Sequence, residues 1–257
     1  MAFQLLFSTY DFTDEVLPDG LSLDDPTDIP TEKVPRRQGL YVNETPTRGP
    51  RRIHLNGVIQ ETTTALARAR LDTLLKTLNS GLQNLYCNGS SGRYIACYKE
   101  DVPRFSFTTN PQMTVVDYSV DFLAVDPFFY DATQTSTTIT TSYAGWTHSN
   151  GGDELVYPVI QITAAGGGAF SAATLTNSTT GKSFTYAGSV SAGNVLEVDC
   201  ANFTCENPNG TSDMANFSGT FLWLVAGNNS LALTYTGTAP ASVNIAYNKR
   251  YDAPAWD

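Results

Sequence analysis

Histidine is almost absent: His54 and His148 are the only two in 257 residues, and they stand far apart. That removes the paired-histidine signature of a zinc hydrolase. Cysteine is scarce as well. Cys87, Cys97, Cys200 and Cys205 form no Cys-x-x-Cys, so a zinc site lacks its ligands. Cys87 and Cys97 bracket an Asn-Gly-Ser-Ser-Gly turn that would bring them near each other across a hairpin, and the expectation for all four is reduced, partly buried thiols. No Gly-x-Ser-x-Gly elbow occurs, so the commonest serine-hydrolase turn is missing. The Gly166-Gly167-Gly168 run is followed by neither Gly-Lys-Ser/Thr nor a helix, which makes it a bulge or hairpin tip, not a phosphate loop. No stretch approaches the roughly 20 apolar residues of a membrane helix, and Met-Ala-Phe-Gln-Leu-Leu-Phe lacks the basic start of a secretory signal. Positive charge is short too. Lys and Arg number 15 against 25 Asp and Glu, a net charge of −10, which argues against a surface that neutralises nucleic-acid phosphates.

What is present is β pattern. From Val115 to Ala124 the chain alternates: Val116, Tyr118, Val120, Phe122 and Ala124 on one face, Asp117, Ser119 and Asp121 on the other. Asp126-Pro127 stops it, because proline gives the ladder no N–H and restricts the residue before it. Phe128, Phe129 and Tyr130 follow, then a Thr/Ser-rich stretch. This predicts the last strand of a domain at 1–130, an elbow at Asp126, Pro127, Phe128 and Phe129, and a second domain at 131–257. The aromatics would wedge between the two.

Before that strand, Leu5 and Phe7 with Phe3 mark a first strand. Asp11 to Glu32 is then acidic without a single Lys or Arg, and Pro18, Gly20, Pro26 and Pro30 punctuate it as a long loop or arm. The sign reverses at Lys33, Arg36, Arg37, Arg48, Arg51 and Arg52. Ile53, Leu55 and Ile59 predict a strand in which Gly57 marks a bulge or close approach, with His54 on the other face. One helix is expected after Thr62-Thr63-Thr64, with Leu71, Leu74, Leu75, Leu78 and Leu82 as its core stripe. Phe105 and Phe107 are expected to face inward. After Thr133 no helical period survives, and short alternating runs between Gly and Asn turns argue a β-sandwich. Among them, Phe221, Trp223 and Val225 read as a core face, whereas Trp146, in a loop beside His148, is the exposed aromatic that could stack on a sugar. Asp117 and Asp121 share a strand face four residues apart, which is compatible with paired carboxylates or simply with solvent. No catalysis, metal or cofactor is expected.

Several weak motifs recur in a specific order. They run Arg52-Ile-x-Leu-x-Gly-x-Ile59, the Leu-rich helix, Gly81, Arg93-Tyr94, the Phe105/Phe107 strand and Asp126-Pro127-Phe128. Then come Asn150-Gly151, Pro158-x-Ile160, Thr179-Thr180-Gly181, Ala192-Gly193-Asn194, Val198-Asp199, Gly227-Asn228-Asn229 and Tyr247-x-x-Arg250-Tyr251. In this order the chain resembles the siphophage distal tail (Dit) proteins. The resemblance implies a mainly β protein: an N-terminal tail-tube-like domain with one helix, and a galectin-like or carbohydrate-binding-module-like sandwich. It implies a structural component of the virion tail tip, assembled in the host bacterial cytoplasm. As a homo-hexameric ring it would join the tail tube to hub, tip and receptor-binding or side-fibre proteins and let DNA pass unbound. Ring contacts are then expected from the acidic and basic arm residues Asp24, Asp25, Arg36, Arg37 and Arg51. The rival reading is an adhesin-like carbohydrate-binding sandwich that uses Trp146.

Overall fold

The computed structural model describes residues 4–24, 27–28, 31–33, 40–42, 47–88, 92–107, 114–207 and 210–254. The chain forms two compact units, Met1–Ala132 with Ala253–Asp257, and Thr133–Asp252. Among the described residues it is mainly β with one α-helix.

In the first unit the strands are β1 (Leu5–Phe7), β2 (Tyr10–Asp11), β3 (Val16–Leu23), β4 (Thr27–Asp28), β5 (Thr31–Lys33), β6 (Leu40–Val42), β7 (Thr47–Arg48) and β8 (Arg51–Gln60). Helix α1 (Thr64–Leu78) follows, then β9 (Gln83–Cys87), β10 (Arg93–Lys99), β11 (Arg104–Phe107), β12 (Val115–Ala124) and β13 (Phe129–Asp131). The main sheet runs β2-β1-β9-β10-β12-β8-β3, with β11 on β12 and β13 on β10. Its centre is the antiparallel pair β8–β12, in register from Val115↔Gln60 to Ala124↔Arg51. Both strands bury every second residue, which is what their alternating sequences require.

Helix α1 covers the apolar face. Thr63 caps it, its Oγ1 accepting the Leu66 N–H at 3.3 Å. Asn79 ends it, and Gly81 follows at φ +82°. The buried positions are Ala67, Leu74 and Leu78. Leu82, expected in that stripe, lies beyond the helix and is exposed, because the helix stops a turn earlier.

The acidic segment is not a loop throughout. Val16–Leu23 is a sheet strand, bulged between Val16 and Leu21. Beyond it β4 pairs with β7 (Thr27↔Arg48) and β5 with β6 (Thr31↔Val42 to Lys33↔Leu40). Cys87 and Cys97 sit on the paired strands β9 and β10 but out of register, Cys87 opposite Arg93 and Cys97 opposite Gln83.

The second unit is a β-sandwich. Its strands are β14 (Thr135–Ile139), β15 (Trp146–Asn150), β16 (Val159–Ala164), β17 (Phe170–Asn177), β18 (Lys182–Tyr186), β19 (Val195–Asp199), β20 (Thr204–Glu206), β21 (Phe217–Gly219), β22 (Gly227–Gly237) and β23 (Pro240–Tyr247). Two five-stranded sheets, β14-β23-β16-β19-β20 and β15-β22-β17-β18-β21, enclose one core that includes Phe170, Phe184, Tyr186, Leu196, Leu233 and Ile245. The three-glycine run lies in the connection between β16 and β17, which belong to opposite sheets, so it is a crossing from sheet to sheet and not the expected bulge or hairpin tip. Thr220–Val225 is not a strand of either sheet. Only Leu224 bridges, to Val156, and the buried side chains are Leu222 and Leu224. Trp223 therefore points away from the core, contrary to its expected placement, with the Lys182 ammonium 5.3 Å from its ring centre.

Candidate functional site

The polar face of the first sheet carries charge in cross-strand rows. Asp121 lies opposite His54, and His54 Nδ1 meets Asp121 Oδ1 at 2.5 Å. Their side chains are 41% and 42% exposed. A neighbouring row pairs Arg52 with Glu100 at 3.0 Å, with Arg52 in open solvent. Such exposed pairs contribute little to stability. Nor does an open sheet face desolvate a His–Asp pair as proton-transfer chemistry requires.

The strongest electrostatic feature is one the sequence hid. Glu15, counted among the acids of the arm, is only 9% exposed. Its carboxylate accepts from Tyr10 Oη at 2.9 and 3.0 Å, from Tyr118 Oη at 3.1 Å and from Arg70 Nε at 2.7 Å. Arg70 also donates from Nη2 to the Asp11 carbonyl at 2.8 Å and lies over the Tyr10 ring at 4.5 Å. Burial, then the adjacent Glu15 charge, pushes both tyrosine hydroxyls far above their ordinary range. Gly57 makes room for Tyr118: a Cβ there would fall 2.3 Å from the tyrosine ring. This cluster ties the N-terminal turn, the helix and β12 together. Its four residues share no spacing in sequence, and only Gly57 hinted at a close approach.

Arg51, expected at a ring contact, is only 5% exposed within this chain. Its Nε donates to the Pro127 carbonyl at 2.9 Å, and its guanidinium lies 5.4 Å from the Phe129 ring centre. Asp126 accepts the Phe128 N–H at 3.3 Å and the Tyr130 hydroxyl at 2.5 Å. Phe128 and Phe129 are buried. Asp126 to Phe129 is thus a rigid turn anchored from β8. Asp24 is exposed just past β3, its N–H donating to the Arg52 carbonyl at 3.0 Å. Asp25, Arg36 and Arg37 lie outside the described residues.

Phe107 is a correction. It shares the inner face with Val116, as expected, but is 54% exposed. The helix does not reach over it. Thr64, Ala67, Arg68, Leu71, Phe107 and Val116 line an apolar groove of about 280 Å³ instead. Its neighbour Phe105 is only half-buried.

In the second unit Trp146 is not on a loop. It belongs to β15, opposite Leu231, and packs against the core. Its Nε1 is buried with no hydrogen-bond partner among the described residues, so the indole is turned inward and offers no stacking platform. His148 is buried, its Nε2 3.1 Å from Tyr247 Oη, which donates to the Ser149 carbonyl at 3.1 Å. Burial lowers the His148 pKa and keeps the ring neutral. All four cysteines are free and buried. Burial pushes Cys87, Cys97 and Cys200 up to about 12 and Cys205 to about 11, which leaves their thiols inert. Among the described residues no three His, Cys, Asp or Glu side chains gather as a metal site would need.

Residues 151–251 match the family described as siphovirus-type tail component, C-terminal domain. No curated protein matches the chain in sequence. Among solved structures, the Dit protein of phage SPP1, described as a paradigm of the hub adsorption apparatus in phages infecting Gram-positive bacteria, matches with a TM-score of 0.72 at 15% identity, covering 97% of this chain and 99% of that one. A chain of the phage P2 baseplate in its activated conformation with calcium matches with a TM-score of 0.51 at 9% identity, covering 98% and 99%. At such identities the structural likeness speaks to fold, and the family match speaks to descent for the second unit. The second unit thus matches the siphovirus-type tail component family over 151–251, and the chain as a whole has the fold of the SPP1 Dit protein.

Proposed function

We propose that this chain is the structural hub of a long-tailed phage's tail tip. Six copies close into a ring that joins the tail tube to hub, tip and receptor-binding proteins. The observation that carries this reading is the family match over 151–251 within a chain that has the Dit fold along 97% of its length. The first unit forms the ring and the second, a galectin-like sandwich, faces outward. The segment Asp126–Phe129, rigid through Arg51, is the elbow between them. The net charge of −10 suits a passage in which DNA slides without sticking. The protein resides in the virion after assembly in the host cytoplasm. The rival adhesin reading loses its platform with Trp146 packed inward.

Negative-stain microscopy of the purified protein, alone and mixed with the tube protein of the same phage, tests this. Six-fold rings are the expected result. Single copies under both conditions would sink the hub reading.

A further inference from the structure

The second unit carries a strip of aromatic rings on its outside. Phe203, in the turn that joins β19 to the edge strand β20, is 62% exposed. Its backbone sits at φ +57°, a region that a bulky residue rarely enters. Asp199 holds the turn, accepting the Ala201 and Asn202 N–H groups at 2.9 and 3.0 Å. The Phe203 ring meets Phe221 edge-on, and Phe221 stacks on the half-buried Phe217 of β21, the edge strand of the other sheet. Met214, three residues before Phe217, is 40% exposed. Surface aromatics and methionine gathered in this way are the composition of an interface.

The same flank is acidic. From 183 to 248 the sequence has no Lys or Arg, while Glu197, Asp199, Glu206 and Asp213 all fall there. Glu197 lies directly opposite Glu206 on β19 and β20, a like-charge pairing that costs stability. The hydrogen-bond donors to Glu197, Asp199 and Asp213 are neutral: the Gln161 amide, the turn N–H groups with the Asn202 amide, and Tyr186 with Asn216. These bonds leave the negative charge uncompensated.

The two features together narrow what can bind. Carboxylates repel an anionic membrane, a phosphate polymer or nucleic acid. A sugar would need a flat, open ring face, and the indole two residues past Phe221, that of Trp223, has the Lys182 ammonium 5.3 Å from its centre. An apolar strip beside uncompensated acids fits a protein segment that sets aliphatic or aromatic side chains between Lys or Arg residues.

We propose that the β19–β20 hairpin and the Phe203, Phe221 and Phe217 strip dock an extended segment, basic and apolar, of another tail protein. This rests on the hub reading and gives one of its contacts a place and a chemistry.

The probe is a fluorescein-labelled peptide, Lys-Val-Lys-Phe-Lys-Val-Lys, titrated with the full-length protein by fluorescence anisotropy. Phe203→Asn removes the ring and keeps a residue that tolerates positive φ, so the unfolding midpoint should hold. The expected result is binding to the native chain that is about tenfold weaker in Phe203→Asn, and weaker again in Glu197→Gln with Glu206→Gln or in added salt. Lys-Ser-Lys-Ser-Lys-Ser-Lys, which keeps the charge and lacks the apolar side chains, should bind about tenfold more weakly than the probe. Equal affinity of native and Phe203→Asn chains, equal affinity for the two peptides, or no binding to the native chain overturns the proposal. Displacement of the peptide by dextran oligosaccharides would make the strip a sugar platform and overturns it as well. Six-fold rings without peptide binding sink this contact and leave the hub reading standing. Peptide binding by a chain that never forms rings removes the hub reading and leaves the strip as a site for a basic segment.

Discussion

In the second unit a sheet covers a sheet; in the first, one helix covers a sheet that is too wide for it. The sandwich matches five strands with five, and its aromatic side chains close over one another. Phe184 stacks on Phe217 at 5.5 Å, Phe217 on Phe221 at 4.3 Å, and Phe203 meets Phe221 edge-on at 5.4 Å. The first unit has Ala67, Leu74 and Leu78 as its helical lid and leaves Phe107 outside it. It also has a buried charge cluster where the sandwich has buried amides, Asn150, Asn177 and Asn229. The lesson is that a matched apolar core, backed by neutral buried amides, holds the second unit, whereas the first relies on a buried charge cluster and keeps an unfinished surface for others.

The sharpest test of that contrast is a cavity. Phe184→Ala empties a fully buried site in the second unit and is expected to cost about 3–5 kcal/mol. Urea unfolding followed by probes in each unit should show only the second unit's transition moving. A shift of both would break the comparison. Next comes Arg70→Met, which leaves the Glu15 carboxylate buried without its cation. A cost of about 2–3 kcal/mol is expected, discounted because the Arg70 side chain is 37% exposed. The double change Glu15→Gln with Arg70→Met should recover part of it, and no recovery would mean that the tyrosines, not the charge pair, hold the cluster.

Sequence pattern was a good guide wherever one element decided the outcome. Val116 to Ala124 alternates and is buried as it alternates, and Ile53, Leu55 and Ile59 follow the same rule. It was a poor guide wherever two distant elements met. Glu15 looked like another surface acid because Tyr10, Arg70 and Tyr118 reach it only through the fold. Arg51 looked like a free cation because the Pro127 carbonyl is 76 residues away. Phe107 was on the predicted face, but alternation says nothing about where a lid ends. Trp223 failed for a different reason: Leu222 and Leu224 alternate equally well in the opposite phase, and the composition of that run does not choose.

Acid should separate the units in another way. The folded-state pKa of His148 lies below its ordinary 6.5, so the unfolded chain binds this proton more readily. Its share of stability is complete above about pH 6.5 and is lost as pH falls below it, with a slope of at most about 1.4 kcal/mol per pH unit. The second unit's unfolding midpoint should therefore fall as pH drops below about 6.5 in the native chain and less steeply in His148→Gln. Parallel profiles would assign the acid response to other groups. A smaller effect belongs to the lid: Thr63→Ala removes the α1 cap and should cost the first unit about 1 kcal/mol.

The smallest expected effect on stability carries the most functional meaning. Phe107→Ser exposes nothing new, since the ring is already in solvent and the helix does not rest on it. The first unit should keep its unfolding midpoint within about 0.5 kcal/mol. If the open groove exists for a partner, the same substitution should weaken assembly at a concentration where the native chain associates, as read by analytical ultracentrifugation. A core residue would lose stability and assembly together, and an idle surface residue would lose neither. Loss of assembly at unchanged stability is the one pattern that marks an unfinished surface, because the missing contact then belongs to another molecule.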